Sequence, residues 1–520
     1  MWLVWTAAVM AGLLILVAIH DLVQRRHAIL RNFPVLGHFR YMLEAIGPEL
    51  RQYIVTSNDE ELPFNRDQRR WVYASSKKQN NYFGFGTDSD MERSANYLII
   101  KHSAFPIRNP HPGDPDYDPH YRVPCAKVLG GYRDRRRKFR PPSIVNVSAM
   151  SYGSLSSQAI HSLNAGCLMA GCLHNTGEGG ISPYHLHGGD LIWQIGTGYF
   201  GCRDEQGNFN LDRLLETVSR YPSVRALEIK LSQGAKPGLG GILPAAKITP
   251  EISQIRGIPM GKDCISPEGH SAFSDADSLL DFVEQIAEET GLPVGIKSAV
   301  GEMDLWYDLA RLIETTGRGV DFITIDGGEG GTGAGPLVFT DRVALPFKVG
   351  ISRVYRVFAE VGLHEKIVFQ GSGKLGFPEM TLFAFALGCD MVAVAREAML
   401  AIGCIQAQRC HSGHCPAGVA TQNRWLVRGL DPLYKAPRLA NYVTTLRKEA
   451  LALSHACGVP HPALITSEHL EILDGRFGSA TVPQLFGYEL SYGLPSPEDR
   501  SVITELMNHT RSDDTSAQHL

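Results

Sequence analysis

Hydrophobic positions fall along this chain in three patterns, and each predicts a different kind of element. The first is a solid block, because residues 2–19 (WLVWTAAVMAGLLILVAI) are 18 consecutive uncharged positions. A helix of that length covers about 27 Å, sufficient for a bilayer core. A core helix of a soluble domain would show a polar face, and this block has none. No basic residue precedes it, and it runs into His20 and Asp21 without a small-residue cleavage site, so an uncleaved anchor is expected rather than a secretory signal. Arg25, Arg26 and Arg31 follow it. The positive-inside tendency then predicts a single-pass protein of the inner (cytoplasmic) membrane, with its bulk on the cytoplasmic side.

In the second pattern, residues 21–142 are polar and aromatic with weak periodicity and several Pro turns between 106 and 124. This predicts a collar of short helices and loops. Its Arg69, Arg70, Trp71 and Tyr73 would pack on the remainder or lie on lipid headgroups.

The third pattern begins at Ser143, where eight apolar, β-branched runs recur, each closed by a Gly or polar cluster and followed by helical sequence. They are IVNVS (144–148), CLHN (172–175), IWQIG (192–196), ALEIKL (226–231), VGIKS (294–298), FITID (322–326), IVFQG (367–371) and MVAVA (391–395). Near-continuous apolar strands with helical crossovers imply a parallel sheet, and eight repeats in about 250 residues fit an α/β fold of the (β/α)8 TIM barrel type. A doubly wound sheet would open on a GxGxxG turn, which IVNVS lacks. The expected organisation is therefore an anchor (1–20), the collar (21–142), a barrel with a cysteine loop (143–425), and a helical extension with a polar, disordered-looking tail (426–520).

Composition changes this picture little. Apolar residues at 44% and charged residues at 20% describe a chain that can bury a core. Fifty basic against 54 acidic side chains leave no global field for a polyanion, which argues against nucleic-acid binding. Ten cysteines are too few and too uneven for a disulfide scaffold, so reduced thiols or ligands are expected. Gly is the outlier, with 53 residues concentrated in the middle, where backbone would approach a ligand.

Candidate chemistry sits at the predicted strand ends. Cys404, Cys410 and Cys415 are spaced C-x5-C-x4-C directly after the last strand, among polar residues unsuited to an apolar core. Thiolates are soft ligands for iron–sulfur clusters or zinc, with His411 or His414 as a possible fourth donor. The absence of CxxC knuckles favours a three-iron cluster with one unligated corner. DGGEGGTGAGP (326–336) and QGSGKLG (370–376) follow strands six and seven, the positions at which a barrel cradles phosphate, with Lys374 alongside. Ser148–Ser151, NTGEGG (175–180), Lys230, Gln233 and Lys297 end other strands. Buried charges there need a partner, such as an anionic cofactor or substrate. Glu178 would exchange a proton, bind a cationic nitrogen, or be a solvated loop carboxylate; Lys297 would contact a ligand or form an ion pair within the mouth.

SAMSYGSLS, NTGEGG, IKLSQGAKPGLGG, GGEGGTGA and the cysteine triad, in that order between residues 143 and 423, resemble the central flavin domain of glutamate synthase. The whole chain is similar to a stand-alone, membrane-tethered member of the FMN-binding glutamate synthase-like group. The resemblance implies FMN at the carboxy-terminal mouth of the barrel and a [3Fe-4S] cluster on Cys404, Cys410 and Cys415. It also implies an oxidoreductase acting on CH-NH2 donors, reducing the imino acid formed from 2-oxoglutarate and ammonia or an amine. Carried over, Ser151, Lys230, Gln233, Lys297, Gly327, Gly328, Gly330, Gly331, Thr332, Gly333, Gly371, Gly373 and Lys374 surround FMN. Glu178, Lys236 and Arg256 match the substrate end, and a dicarboxylate would need two cationic anchors such as Lys236 and Arg256. Lys297 is the candidate for the positive environment of the reduced ring.

The departures also carry information. The family's GGQLPG reads GGILPA here, placing Ile242 where a Gln contacts the oxoacid, and Ser266–His270 differs from the family's proline- and histidine-rich version. Met1 leads into an anchor rather than a nucleophilic Cys, and no nicotinamide-binding domain is visible, so ammonia and an external electron-donor protein are expected partners. A more apolar substrate, or a membrane electron-relay subunit, are the competing expectations.

Overall fold

The structure is a computed structural model that describes residues 1–24, 28–56, 60–114, 117–489 and 492–509. Arg25, Arg26 and the expected tail (511–520) lie outside the described residues. The chain divides into two compact units, Met1–Arg69 and Arg70–Leu520.

In the larger unit eight parallel strands close into a barrel. They are β1 (Val145–Val147), β2 (His174–Asn175), β3 (Leu191–Ile195), β4 (Val224–Lys230), β5 (Val294–Ser298), β6 (Phe322–Asp326), β7 (Val368–Ser372) and β8 (Met391–Val394). Neighbours in sequence are neighbours in the barrel, and β8 returns to β1 with Val392 opposite Val145. All eight predicted runs are strands. They read as apolar because the barrel strands are buried on both faces, with helices outside and packed side chains within.

Alternation along β4 sets the interior. Ala226 packs on the floor, Glu228 lies in the middle and Lys230 reaches the mouth, each two residues apart and so on one face. The floor is apolar: Leu173, Ile192, Ala226, Phe322, Val368 and Met391 meet Cys125, Leu129 and Phe139. The last three come from the predicted collar, where Leu129 and Phe139 form an antiparallel bridge. That segment plugs the barrel, so it is more than a surface loop. Its Lys127 is buried and donates to Asp390 Oδ2 at 2.9 Å and to the carbonyl of Ile367 at 3.0 Å.

A second difference lies outside the barrel. Tyr97–Ile100 pairs antiparallel with Leu470–Leu473, which pairs with Ser479–Thr481. The collar and the carboxy-terminal extension, expected as helices and loops, thus share a three-stranded sheet. Runs of three or four residues carry too little alternation to be read as strands. The expected helical sequence after the cysteines is the helix Pro432–Ala456, which lies against Ser157–Ala170. Gly166 permits their approach, since a Cβ there would stand 2.8 Å from the Ala436 carbonyl oxygen.

In the smaller unit the helix Trp2–Val23 has a mean hydropathy of 2.4 over its best window, and none of that window is buried. It extends the predicted block by four residues, and Asp21 in its last turn is fully buried.

Candidate active site at the barrel mouth

Glu178 is held in the loop after β2, where Gly177 has φ +66°. A Cβ on Gly177 would lie 2.6 Å from the Ser151 backbone nitrogen, and one on Gly179 would lie 2.8 Å from Arg256 Nη2. Glycine is therefore required on both sides of the carboxylate by close packing. Glu178 Oε1 accepts a hydrogen bond from Lys230 Nζ at 2.7 Å, and the same ammonium donates to Gln233 Oε1 at 2.7 Å. Bare backbone at Gly196 and Gly241 walls the carboxylate, because a Cβ on either would come within 2.6 Å of its oxygens. Burial works against ionisation of Glu178, but Lys230, then Arg256 and Lys236, hold its carboxyl below the usual range.

The two expected carboxylate anchors flank this group. Lys236 is buried and donates to the Gly240 carbonyl at 3.1 Å; burial pulls its ammonium down from the ordinary lysine value, with Glu178 opposing and Lys230 adding. Arg256 ends the helix Pro250–Arg256, donates from Nη2 to the Tyr152 carbonyl at 2.9 Å, and stands over the Phe200 ring at 5.2 Å. Its buried Nε has no hydrogen-bond partner among the described residues. A buried guanidinium with a donor to spare is an anion receptor still short of an acceptor.

Across the mouth, Lys297 at the end of β5 pairs with Asp326 Oδ2 at 3.5 Å, and that oxygen accepts from the Gly234 amide at 2.9 Å. The ion-pair reading of Lys297 is thus realised in the structure. Gly234 meets the following loop backbone to backbone, since a Cβ there would fall 1.9 Å from the Gly327 carbonyl oxygen. This contact brings Gln233 together with the glycine run that includes Gly327, Gly328, Gly330, Gly331, Thr332 and Gly333. After β7, Gly373 has φ +144° and Lys374 φ +56°, so the chain turns sharply at the expected cradle. Burial lowers the Lys374 ammonium, as does Arg396.

The cysteine loop adjoins the glycine run, because a Cβ on Gly333 would stand 3.5 Å from Cys410 Cβ. Burial raises the thiols of Cys404, to about 12, and Cys410; the neighbouring cysteines add to this, while Lys247 opposes it at Cys410. Lys247 is buried and donates to the Cys410 carbonyl at 2.7 Å. His414 is exposed, with Nδ1 2.8 Å from the Ser412 carbonyl oxygen. Among the described residues no three Cys, His, Asp or Glu side chains gather tightly enough to grip a single metal ion.

Sequence reasoning missed several neighbours of this site. Asp326 stands at a strand end, as Lys230 does, and Arg396 opens the helix just after β8, and those positions were their signal; Arg396 Nη2 donates to the Glu329 carbonyl at 2.5 Å. Lys247 and the buried Glu228 gave no signal. Glu228 accepts from Asn175, Gln194 and Thr324, each at 2.7 Å. His270, noted only as a departure, lies 2.9 Å through Nε2 from the Lys230 carbonyl oxygen.

Residues 134–460 match the family described as the conserved region in glutamate synthase. The glutamate synthase large subunit-like protein YerD of Bacillus subtilis is 37% identical over 481 residues, covering 87% of this chain and 91% of its own. An archaeal glutamate synthase [NADPH] of Methanocaldococcus jannaschii is 36% identical over 321 residues, 61% of this chain and 59% of the archaeal one. A solved flavocytochrome b2 variant with pyruvate bound covers 86% of this chain and 97% of its own at a TM-score of 0.42 and 14% identity. With a closed eight-stranded barrel and a family match across more than half its length, the chain belongs to the glutamate synthase family.

Proposed function

We propose that this chain is an FMN-dependent oxidoreductase acting on a carbon–nitrogen bond, and that its nominal reaction is the reduction of the imino acid formed from 2-oxoglutarate and ammonia or an amine. One observation carries the reading: an ionised Glu178 boxed among Lys230, Lys236 and Arg256 at the mouth of the closed eight-stranded barrel. Cations exceed carboxylates there, and the buried Arg256 Nε lacks an acceptor among the described residues, so the mouth is suited to an anion.

The residues fit both cofactors. FMN would lie against Ser151, Lys230, Gln233 and Lys297, with its phosphate in the turns at 327–333 and 371–374; the Gly327, Gly328 and Gly330 amides already donate to backbone carbonyls, so the sharp turn at Gly373 and Lys374 is the part of this cradle suited to an anion. Three thiols with Lys247 beside them are a soft donor set suited to a [3Fe-4S] cluster at Cys404, Cys410 and Cys415. Bound there, the flavin supplies hydride and the cluster supplies single electrons. The protein side chains do the rest. Lys236 and Arg256 each take one carboxylate of the oxoacid and fix its orientation. Glu178, held ionised by Lys230, accepts hydrogen bonds or a proton from the incoming nitrogen. Lys297, balanced by Asp326, places positive charge beside the cofactor.

The names of the relatives support the reaction class, and glutamate synthesis itself is part of this proposal. So are the helix Trp2–Val23 as a single-pass anchor of the cytoplasmic membrane and an external donor protein as the source of electrons. A second reading is favoured by Ile242. It is half-buried in the strand Ile242–Leu243, paired with Ile265, and offers no hydrogen bond where the family uses Gln. The substrate on that reading is a more apolar oxoacid.

The test is an absorption and electron paramagnetic resonance spectrum of detergent-purified protein, before and after anaerobic reduction, followed by 2-oxoglutarate with ammonium. Flavin and three-iron signals, with flavin reoxidised by the substrates, are expected. Cofactors that ignore those substrates would move the assignment to another oxoacid or a relay subunit, and folded protein without flavin would overturn it.

A further inference from the structure

The second long helix of the amino-terminal unit, Leu36–Leu50, divides cleanly into two faces. At 100° per residue, Leu36, Phe39, Met42, Leu43, Ile46 and Leu50 fall within an arc of about 120°. All six are solvent-exposed, from 38% for Leu50 to 75% for Leu36. On the other face Gly37 packs on Leu30 and His38 bonds to Asp21, while Arg40 and Glu44 pair with each other at 3.0 Å on the surface. The apolar residues thus point away from their own unit, the reverse of what a helix on a soluble core does.

This face is tied to the anchor by a buried elbow. Asp21, in the last turn of Trp2–Val23, accepts a hydrogen bond from the Val35 backbone amide at 2.9 Å, and His38 Nε2 lies 2.9 Å from its other oxygen. Val35 has φ +64°, and Gly37 lies so close to Leu30 that a Cβ would meet its Cδ2 at 2.9 Å. These contacts turn the chain just before the amphipathic helix and hold its start against the end of the apolar one. The occupant of the apolar face follows from what it adjoins. Trp2–Val23 exposes apolar side chains in every direction, a pattern met by lipid but not by a one-sided protein groove.

We propose that Leu36–Leu50 lies flat in the interface of the bilayer crossed by Trp2–Val23, its Leu36–Phe39–Met42–Leu43–Ile46–Leu50 face among the acyl chains. This rests on the anchor reading made above. A helix of this kind buries its apolar face roughly 5–10 Å into the headgroup and acyl boundary. Arg40 flanks the face and can keep its guanidinium among the headgroups. The two helices together fix how the chain leaves the membrane.

Photo-crosslinking tests this in the full-length protein, reconstituted into vesicles of phosphatidylcholine and phosphatidylglycerol bearing a radiolabel. Benzoylphenylalanine is placed singly at Phe39, Leu43 and Ile46, at Tyr41 and Ala45 on the other side of the helix, and at Leu13 within the anchor. Expected is labelled lipid attached from Leu13, Phe39, Leu43 and Ile46, at least fivefold above Tyr41 and Ala45. Lipid attached from Leu13 alone would overturn the interfacial helix and leave the anchor standing. No attachment from any position would overturn both. Adducts from the face to another part of this chain, or to a second copy, would identify a protein partner and sink the proposal. Every replacement except that of the half-buried Tyr41 is at an exposed position, and Ala45 alone supplies the control if the Tyr41 variant fails to fold.

Discussion

The two ends of the barrel are built from the same strands and obey opposite rules. At the floor, Phe322, Val368 and Met391 pack on Leu129 and Phe139, and the seam is apolar. At the mouth, the same β6 ends in Asp326 beside Lys297, and β4, which starts at the floor, ends in Lys230 beside Glu178. Burying charge costs stability unless every group is paired, whereas burying Phe supplies it. On the proposed reading the mouth carries chemistry at a stability cost that the floor offsets, and variants at the two ends should separate.

The largest effect is expected at the mouth. Glu178→Gln keeps the shape of the side chain but removes the charge that Lys230, Lys236 and Arg256 surround. Turnover of the folded protein should fall by about 10²–10⁴-fold, the range for loss of a positioned acid–base group, while flavin content holds and the thermal midpoint drops because Lys230 loses its carboxylate. Turnover within threefold of wild type would remove Glu178 from the chemistry. At the floor the opposite split is expected. Phe322→Ala should cost about 3–5 kcal/mol of stability in urea unfolding and leave the activity of the remaining folded enzyme nearly intact. A large activity loss in fully folded Phe322→Ala protein would mean that the two ends are coupled.

Acid should attack the floor through His461. Its Nε2 lies 2.9 Å from the Pro124 carbonyl oxygen, next to the plug residue Cys125, and its Nδ1 accepts from the Ala463 amide at 3.0 Å. Burial pulls its folded pKa down to about 3, with the Pro124 bond opposing and Arg140 adding. The unfolded chain takes up a proton near pH 6.5 that the folded chain refuses. Stability is then full above that value and falls as pH drops toward about 3, by about 1.4 kcal/mol per pH unit for this one group. Urea midpoints compared at about pH 7 and about pH 5 should differ less in His461→Gln than in wild type, and equal differences would clear His461 of the acid sensitivity.

The same contrast explains what could be read from the sequence. Strands buried on both faces announce themselves as apolar runs, so the barrel was legible from eight recurring runs such as VGIKS and FITID, and their last residues pointed to the mouth. The plug was not. Leu129 and Phe139 sit amid GGYRDRRRK, whose charges mask a two-residue bridge that only the closed barrel makes useful. Motifs named Lys297, but its partner Asp326 follows from cross-strand register, with Gly295 opposite Phe322 and Ser298 opposite Ile325, which no local pattern contains. The sheet shared by Tyr97–Ile100 and Leu470–Leu473 joins positions some 370 residues apart, beyond any periodicity argument.

The smallest effect sharpens the mouth itself. Ile242 and Gln233 represent two ways of lining it, one apolar and one hydrogen-bonding, and the strand carrying Ile242 directly adjoins Gly241, the wall of Glu178. If 2-oxoglutarate is the true acceptor, a polar atom of the bound acid faces Ile242 without a donor. Ile242→Gln would then restore about 1 kcal/mol, and KM for 2-oxoglutarate should drop roughly fivefold with little change in kcat. A more apolar oxoacid makes the opposite demand, because Gln then loses its own solvation against a hydrocarbon surface. In that case the variant should turn over 2-oxo acids with aliphatic side chains less well, while gaining nothing with 2-oxoglutarate. Steady-state kinetics of the two proteins with both acids distinguishes these outcomes, and constants unchanged by the substitution for both acids would mean that the strand bearing Ile242 does not touch the substrate.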